Sequence, residues 1–189
     1  MKKATYLLLV AGLILSVSSA QATSVIPPTF DELVDQAEII FEGNVTDVRS
    51  QWVGEGAQRH IVSYVSFKVE DTVKGSPGKT YTVRMLGGTV DGESMEISDA
   101  PKFQVSDRDI IFVQNNGSQF IPLVGIMHGR FHVKRDQNGR DIVTTNEGEP
   151  LRDVTKLGRE EQRKSAREAL TPQAFKAVVH TQVLNRPVQ

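Results

Sequence analysis

The sequence of 189 residues contains no cysteine. This absence excludes disulfide bonds, cysteine-ligated zinc, a thiol nucleophile and a lipid-modified N-terminal cysteine. A domain without these cross-links depends on burial of apolar side chains for its stability. Aromatic residues are also scarce, with eight phenylalanines, three tyrosines and one tryptophan, so a sugar-binding platform lined by aromatic rings is not expected.

Neither sign of charge predominates, because the formal net charge is −1. No region before Lys156 is strongly basic, which argues against nucleic acid or an anionic membrane surface as a partner. The sequence has no Gly-x-Ser-x-Gly, no His-Glu-x-x-His and no phosphate-binding loop. We therefore predict no catalytic residue and no cofactor.

The N-terminal residues have the pattern of a signal peptide. Lys2 and Lys3 form a basic start, residues 6–17 form an apolar segment, and Ala20-Gln-Ala22 matches a cleavage site. We expect residues 1–22 to be removed and the mature chain to act in the periplasm or outside the cell, without stable membrane insertion. An uncleaved membrane anchor is the alternative, although the apolar segment is short for one.

Two neighbouring segments, residues 38–50 and 60–75, alternate between apolar and polar side chains. A period of two is typical of strands with one buried and one wet face, so we predict an antiparallel pair joined by a flexible connection. The predicted buried face comprises Ile39, Phe41, Val45, Ile61, Val65, Phe67 and Val69, and the predicted wet face comprises Glu42, Asn44, Thr46, Val62, Tyr64, Ser66, Lys68 and Glu70.

Further strands are predicted up to residue 145, each bounded by turn residues. They cover residues 79–86, 108–114, 119–124, 129–135 and 140–145. The continuous apolar run within residues 108–114 indicates a strand that is buried on both faces.

Helix signals mark the two ends of the mature chain. Thr29 and Glu32 match a capping box, and Thr171-Pro172 is typical of a helix start. We predict that the second helix packs an apolar stripe on the sheet. The stripe comprises Phe175, Val178, Val179 and Val183.

These elements predict a mainly β fold: a small OB-like antiparallel barrel of five or more strands, with a short N-terminal helix and a C-terminal amphipathic helix. The predicted barrel domain covers residues 23–150. Residues 151–189 are predicted to form a charged linker and the C-terminal helix.

The order of several motifs carries a resemblance over roughly residues 29–135. These motifs are Ala-Glu-Ile-Ile-Phe-Glu-Gly-Asn-Val, Val-Glu-Asp-Thr-Val-Lys-Gly, Tyr-Thr-Val-Arg-Met-Leu-Gly-Gly and Phe-Gln-Val-Ser-Asp-Arg-Asp-Ile-Ile-Phe-Val. The chain resembles a group of largely uncharacterised secreted bacterial proteins, many of which carry glycine where this chain has Ser106. More distantly, it is similar to the OB-fold barrels of the netrin-like and metalloproteinase-inhibitor type. The inhibitors act through an N-terminal cysteine that chelates zinc, so the resemblance implies a barrel with a binding surface but not that mechanism.

Histidines provide one candidate site. His128 and His132 are four positions apart, which places them on one face if both lie in a strand. With a carboxylate or His60, they could hold zinc or copper, and the alternative function is a metal-dependent envelope enzyme built on these three residues. Ordinary surface or hydrogen-bonded histidines are the competing interpretation, because no further ligand is close in sequence.

An acidic loop provides the other candidate site. Long loops on barrels often carry function, so we predict that residues 87–101, together with the rim at residues 125–132, form a binding surface. Such a surface would make the protein an exported binding or inhibitory module with a protein or envelope partner. A solvated loop without function, or a structural assembly component, are the alternatives. The candidate partner-binding residues are Asp91, Glu93, Glu96, Asp99 and Arg130.

Overall fold

A computed structural model describes residues 27–157 and 168–185. The predicted signal peptide and most of the predicted charged linker lie outside these ranges. The elements are α1 (Phe30–Gln36), β1 (Ile39–Val53), β2 (His60–Lys74), β3 (Thr80–Leu86), β4 (Gly88–Val90), β5 (Glu93–Met95), β6 (Arg108–Val113), β7 (Arg130–Arg135), β8 (Asp141–Thr145) and α2 (Pro172–Leu184). Short 3-10 turns occur at Gly56–Gln58, Ile126–Gly129 and Val154–Lys156.

The capping signals predicted both helix starts correctly. The backbone N–H of Glu32 donates to Thr29 Oγ1 at 3.3 Å, and the Glu32 carboxylate accepts the backbone N–H of Thr29 at 2.8 Å. At α2, Thr171 Oγ1 accepts from the N–H of Ala174, and Pro172 occupies the first helical position, where no hydrogen bond is lost. Both helices therefore begin where side chains replace missing backbone partners.

Six antiparallel strands form the main sheet in the order β3-β2-β1-β6-β7-β8, and β4 and β5 form a separate hairpin. The register of β1 against β2 shifts between Val45 and Asp47, where β1 contains a bulge. β1 continues to Val53, three residues beyond the predicted end. The prediction of a mainly β fold with helices at its two ends is confirmed.

Apolar clusters lie on both faces of the sheet and meet at β6. The four apolar residues Ile110–Val113 are all fully buried, as the continuous apolar run predicted. The helix-side cluster includes Phe30, Leu33, Ile110, Phe112, Phe131, Val143, Phe175 and Val179, and the cleft-side cluster includes Phe41, Val45, Val65, Phe67, Val83, Met85, Phe103, Ile111 and Val113.

The predicted wet face of the first strand pair is partly wrong. Glu42 is 3% exposed because it lies beneath α2, where it pairs with Arg108 and Lys176. Val62 is fully buried as well, so the predicted alternation in β2 holds from Tyr64 to Glu70, where Val65, Phe67 and Val69 are each more buried than their neighbours.

The predicted strand at residues 119–124 is also wrong. This segment makes an isolated bridge, between Leu123 and Val113 of β6. Pro122 has no N–H to offer a ladder, and the chain turns into the 3-10 turn Ile126–Gly129 directly afterwards.

The outer edges of the sheet are covered by loop residues. Along β3, the N–H of Arg84 donates to Asn116 Oδ1 at 3.0 Å, and Asn116 Nδ2 donates to the carbonyl of Thr82 at 2.8 Å. Two residues further along β3, the N–H of Leu86 donates to the carbonyl of Phe120 at 2.7 Å. No ladder joins β3 to β8 within the described ranges, so closure of the sheet into a barrel stays a prediction.

The C-terminal helix packs on the sheet through the predicted stripe. Phe175 and Val179 are fully buried, and Val183 packs against the same cluster. Val178 lies at the edge of the stripe and is 38% exposed. No helix in the described part of the chain is both long enough and apolar enough to cross a membrane.

Candidate functional site

The candidate site begins where β3 ends at a pair of glycines. Gly87 and Gly88 both have positive φ, which glycine adopts without steric cost. A Cβ on Gly88 would collide with the hydroxyls of Ser50 and Ser63. These hydroxyls lie 2.9 Å apart, and Ser63 Oγ donates to the carbonyl of Gly87 at 2.7 Å. The close approach brings the following segment back across β1 and β2.

That segment forms the β4–β5 hairpin. Val90 pairs with Glu93, which leaves Asp91 and Gly92 as a two-residue turn. Both turn residues have positive φ, as the type I′ turn of a tight hairpin requires. A loop was predicted here, although the Asp-Gly pair is a recognised hairpin signal.

Between this segment and the strands lies a half-open cleft of about 610 Å³. Its lining combines apolar side chains from the strands with polar groups from the Gly87–Gly88 junction and the loop that follows the hairpin. The floor includes Val48, Val65, Met85 and Phe103, one wall includes Ser50 and Ser63, and the rim includes Glu96, Asp99 and Lys102. A pocket with an apolar floor and a few polar groups has the composition of a ligand site.

The rim carries an excess of negative charge. Glu96 pairs with Lys102 at 3.0 Å, but both side chains are exposed, and such a pair contributes little to stability. Asp99 is exposed and has positive φ. Asp91 and Glu93 are exposed in the adjacent hairpin and do not line the cleft. The four predicted acidic residues therefore divide into two at the rim and two beside it.

Arg130 has a different position from the other predicted partner-binding residues. It is 2% exposed, donates to Asp109 Oδ2 at 3.0 and 2.9 Å, and reaches Asp107 at 2.7 Å. Its guanidinium also donates to the carbonyl of Lys102 and stacks 3.9 Å over the ring of Phe103. The side chain thus links the predicted surface at residues 125–132 to Lys102 and Phe103, directly after the predicted segment 87–101, and it does so from the interior.

The candidate metal-binding histidines have separate environments. His132 Nδ1 lies 2.8 Å from Asp109 Oδ1, whereas His60 Nδ1 lies 2.7 Å from the carbonyl of Gln58. His128 belongs to the 3-10 turn Ile126–Gly129, and burial lowers its pKa from the ordinary value. Within residues 27–157 and 168–185, no group of three or more histidines or carboxylates is arranged to hold a metal ion.

A second charged cluster lies between the sheet and α2, and sequence reasoning missed it. The Glu42 carboxylate binds Arg108 at 2.7 Å and Lys176 at 2.5 Å, and Arg108 also binds Asp141 at 2.6 Å. Burial works against the charge of Arg108, but hydrogen bonds with Asp141 and Glu42 outweigh it and raise the arginine pKa. The cluster fastens α2 to the sheet on the face opposite the cleft-side cluster.

No family model matches the chain, and no curated protein is significantly similar to it.

Proposed function

We propose that this chain is an exported binding or inhibitory module that holds a protein or envelope partner at the cleft between β1–β3 and residues 87–103. The cleft carries this proposal, because it has the volume and the mixed lining of a ligand site. Export rests on the pattern of residues 1–22.

The exposed side chain of Phe120 supports a partner-binding surface next to the cleft. Seven of the eight phenylalanines are at most 9% exposed, whereas Phe120 is 72% exposed. Its carbonyl accepts from the N–H of Leu86, and Leu86 lines the cleft. Exposed aromatic side chains often anchor protein interfaces, so Phe120 extends the proposed surface beyond the cleft.

We also propose that the fold is an OB-like barrel, closed between β3 and residues 115–123. The hydrogen bonds of Asn116 and Phe120 with β3 support closure, because they take the place of ladder bonds from a neighbouring strand. The bridge between Val113 and Leu123 connects the same segment to β6. In this arrangement the cleft-side cluster fills the barrel, and the cleft lies at its mouth.

A blocking substitution at the rim tests the proposed site. Ser98 is exposed and lines the cleft, so Ser98→Trp places a large ring at its mouth. The matched control is Gln137→Trp, which adds the same ring to an exposed turn between β7 and β8. The wild-type protein, both variants and an unrelated exported protein are used as baits with envelope extract and medium, and captured proteins are compared quantitatively.

We expect a specific partner whose capture falls about tenfold or more with Ser98→Trp, the loss that about 1.4 kcal/mol of binding free energy produces. Gln137→Trp should capture the partner as the wild type does, and the thermal midpoints of all three proteins should agree within a few degrees. Equal capture by both tryptophan variants would place the binding surface elsewhere.

A further inference from the structure

The hydroxyls of Ser50 and Ser63, on one wall of the cleft, belong to a hydrogen-bond chain with a fixed direction. Ser63 Oγ lies 2.7 Å from the carbonyl oxygen of Gly87. A carbonyl oxygen only accepts, so the single hydroxyl proton of Ser63 is committed to this bond. The two serine hydroxyls lie 2.9 Å apart, and the proton between them therefore comes from Ser50.

This direction leaves Ser50 Oγ with lone pairs but no proton for the cleft. A hydroxyl has one donor and two acceptor sites, and the donor of Ser50 is already used. Both serines line the cleft and are half-buried. A ligand group that bonds to Ser50 must therefore supply the proton, as an N–H or O–H does and as a carboxylate or phosphate oxygen does not.

The charged residues of the lining favour a cationic donor. Glu96 and Asp99 are the acidic residues that line the cleft, and Lys102 is the basic one. Lys102 pairs with Glu96 at 3.0 Å, so the negative charge of Asp99 is not compensated within the lining. An ammonium or guanidinium group complements this charge, whereas an anionic group is repelled by it.

The floor of the cleft suits the stem of a basic side chain. Val48 lies two residues before Ser50 on β1 and shares its face, so the acceptor adjoins the apolar floor at Val48, Val65, Met85 and Phe103. Lysine and arginine place their methylene stems along apolar surface and keep the charged head in water. Because the cleft is half-open, such a head keeps part of its hydration and avoids the cost of complete burial.

We propose that the cleft binds a lysine or arginine side chain of the partner protein, with the stem on the apolar floor and the charged head donating to Ser50 Oγ. This inference rests on the proposed function, since it names the chemical group of the partner that occupies the same cleft. Ser50 is then the residue that selects a basic side chain over an apolar one of similar length, and Asp99 adds attraction at the rim.

Amino-acid derivatives that differ at the end of the side chain test this selection. The probes are the N-acetyl methylamides of lysine, arginine and norleucine, and norleucine has the stem of lysine without the ammonium group. Met85 and Met95 line the cleft, so their methyl signals in NMR spectra report binding. Met127 lies in the 3-10 turn outside the lining, and its methyl signal is the reference.

We expect the lysine and arginine derivatives to shift the signals of Met85 and Met95 saturably and to leave that of Met127 in place. Their affinity should exceed that of the norleucine derivative about fivefold or more, because the charged head adds a hydrogen bond with an ionised donor. Equal affinities of the lysine and norleucine derivatives would overturn the inference. The absence of a saturable shift with either basic derivative would overturn it as well.

Substitution of Ser50 separates binding of the charged head from the shape of the cleft. Ser50→Ala removes the acceptor and leaves the bond from Ser63 to Gly87 in place. The matched control is Ser66→Ala on β2, which removes a hydroxyl that lies 3.1 Å from Thr82 Oγ1, outside the lining.

Ser50→Ala should lower the affinity for the lysine derivative about fivefold, to the level of norleucine, and should leave the affinity for norleucine unchanged. Ser66→Ala should alter neither affinity. Equal losses for both derivatives with Ser50→Ala would show that the serine only shapes the cleft, which contradicts the inference.

Asp99→Asn provides a second test that does not depend on the folding of the Ser50 variant. Asp99 is exposed and has positive φ, which asparagine also adopts readily, so the loop conformation is kept. This variant should weaken binding of the lysine derivative and reduce its dependence on salt, with no effect on norleucine. Unchanged lysine affinity and salt dependence would count against the proposed cation.

The capture experiment separates failure of this inference from failure of the proposed function. If the partner is lost with Ser98→Trp but fully retained with both Ser50→Ala and Asp99→Asn, the partner places another group in the cleft. The inference then fails while the proposed function stands. If the lysine derivative binds through Ser50 but the wild-type protein captures no specific partner, the proposed function fails while the acceptor site at Ser50 stands.

Discussion

At the scale of single residues, Gly88 decides whether the cleft can form. The residue has a φ of 134° and lies against the hydroxyls of Ser50 and Ser63, so both its conformation and its space exclude a side chain. We predict that Gly88→Ala lowers the free energy of unfolding by about 1–3 kcal/mol, the usual cost of a strained backbone position. Chemical denaturation measures this change.

The control for that prediction is Gly92→Ala in the β4–β5 turn. Gly92 also has positive φ, but a Cβ there would meet no atom within 4 Å. The turn variant should therefore be destabilised less than Gly88→Ala. Equal losses would show that conformation alone, and not the contact with the two serines, sets the cost at Gly88.

At the scale of elements, the attachment of α2 to the sheet depends on Glu42. Its buried carboxylate is shared between Arg108 and Lys176. We predict that Glu42→Leu lowers the free energy of unfolding by about 3–5 kcal/mol, because removal of one partner leaves buried charge uncompensated. Denaturant unfolding checks the value, and amide exchange should show that α2 loses protection first.

Asp71 provides the comparison, since it binds the same Lys176 from the surface. Its side chain is 54% exposed, so Asp71→Asn should cost less than about 1 kcal/mol. A loss at Asp71 as large as that at Glu42 would contradict the view that burial makes the difference.

The elements themselves were largely predictable from the sequence, whereas their charged contacts were not. Alternation and capping residues act over a few positions, and they identified α1, α2 and most strands. The pair of Glu42 and Arg108 joins residues 66 positions apart, and Arg130 meets Asp109 across two strands. Such pairs depend on which strands become neighbours and on the helix that covers the sheet, and neither is encoded in a local pattern, so Glu42 was assigned to water and Arg130 to an exposed surface.

At the scale of the whole molecule, Asn116 links the first half of the sheet to the second. Its amide replaces a strand along β3, with bonds to the backbone of Thr82 and Arg84. We predict that Asn116→Leu lowers the free energy of unfolding by about 0.5–1.5 kcal/mol, because hydrogen bonds to partly exposed backbone groups are lost and water replaces them only in part. Amide exchange at Arg84 should accelerate, and this measurement specifically tests the proposed closure of the barrel at β3.

Asn138 is a suitable control, because it is an exposed residue in the β7–β8 turn. Asn138→Leu should leave both the stability and the exchange rate at Arg84 almost unchanged. Unaltered exchange at Arg84 in the Asn116 variant would indicate that the loop is not needed to hold β3.

Strand β6 is buried on both faces, with Ile110 and Phe112 in the helix-side cluster and Ile111 and Val113 in the cleft-side cluster. Unfolding of either cluster therefore removes β6 from the other cluster as well. Heating should therefore disorder the cleft and the helix-covered face in a single transition, and binding of the proposed partner at the cleft should raise the melting temperature of the helix-covered face as well.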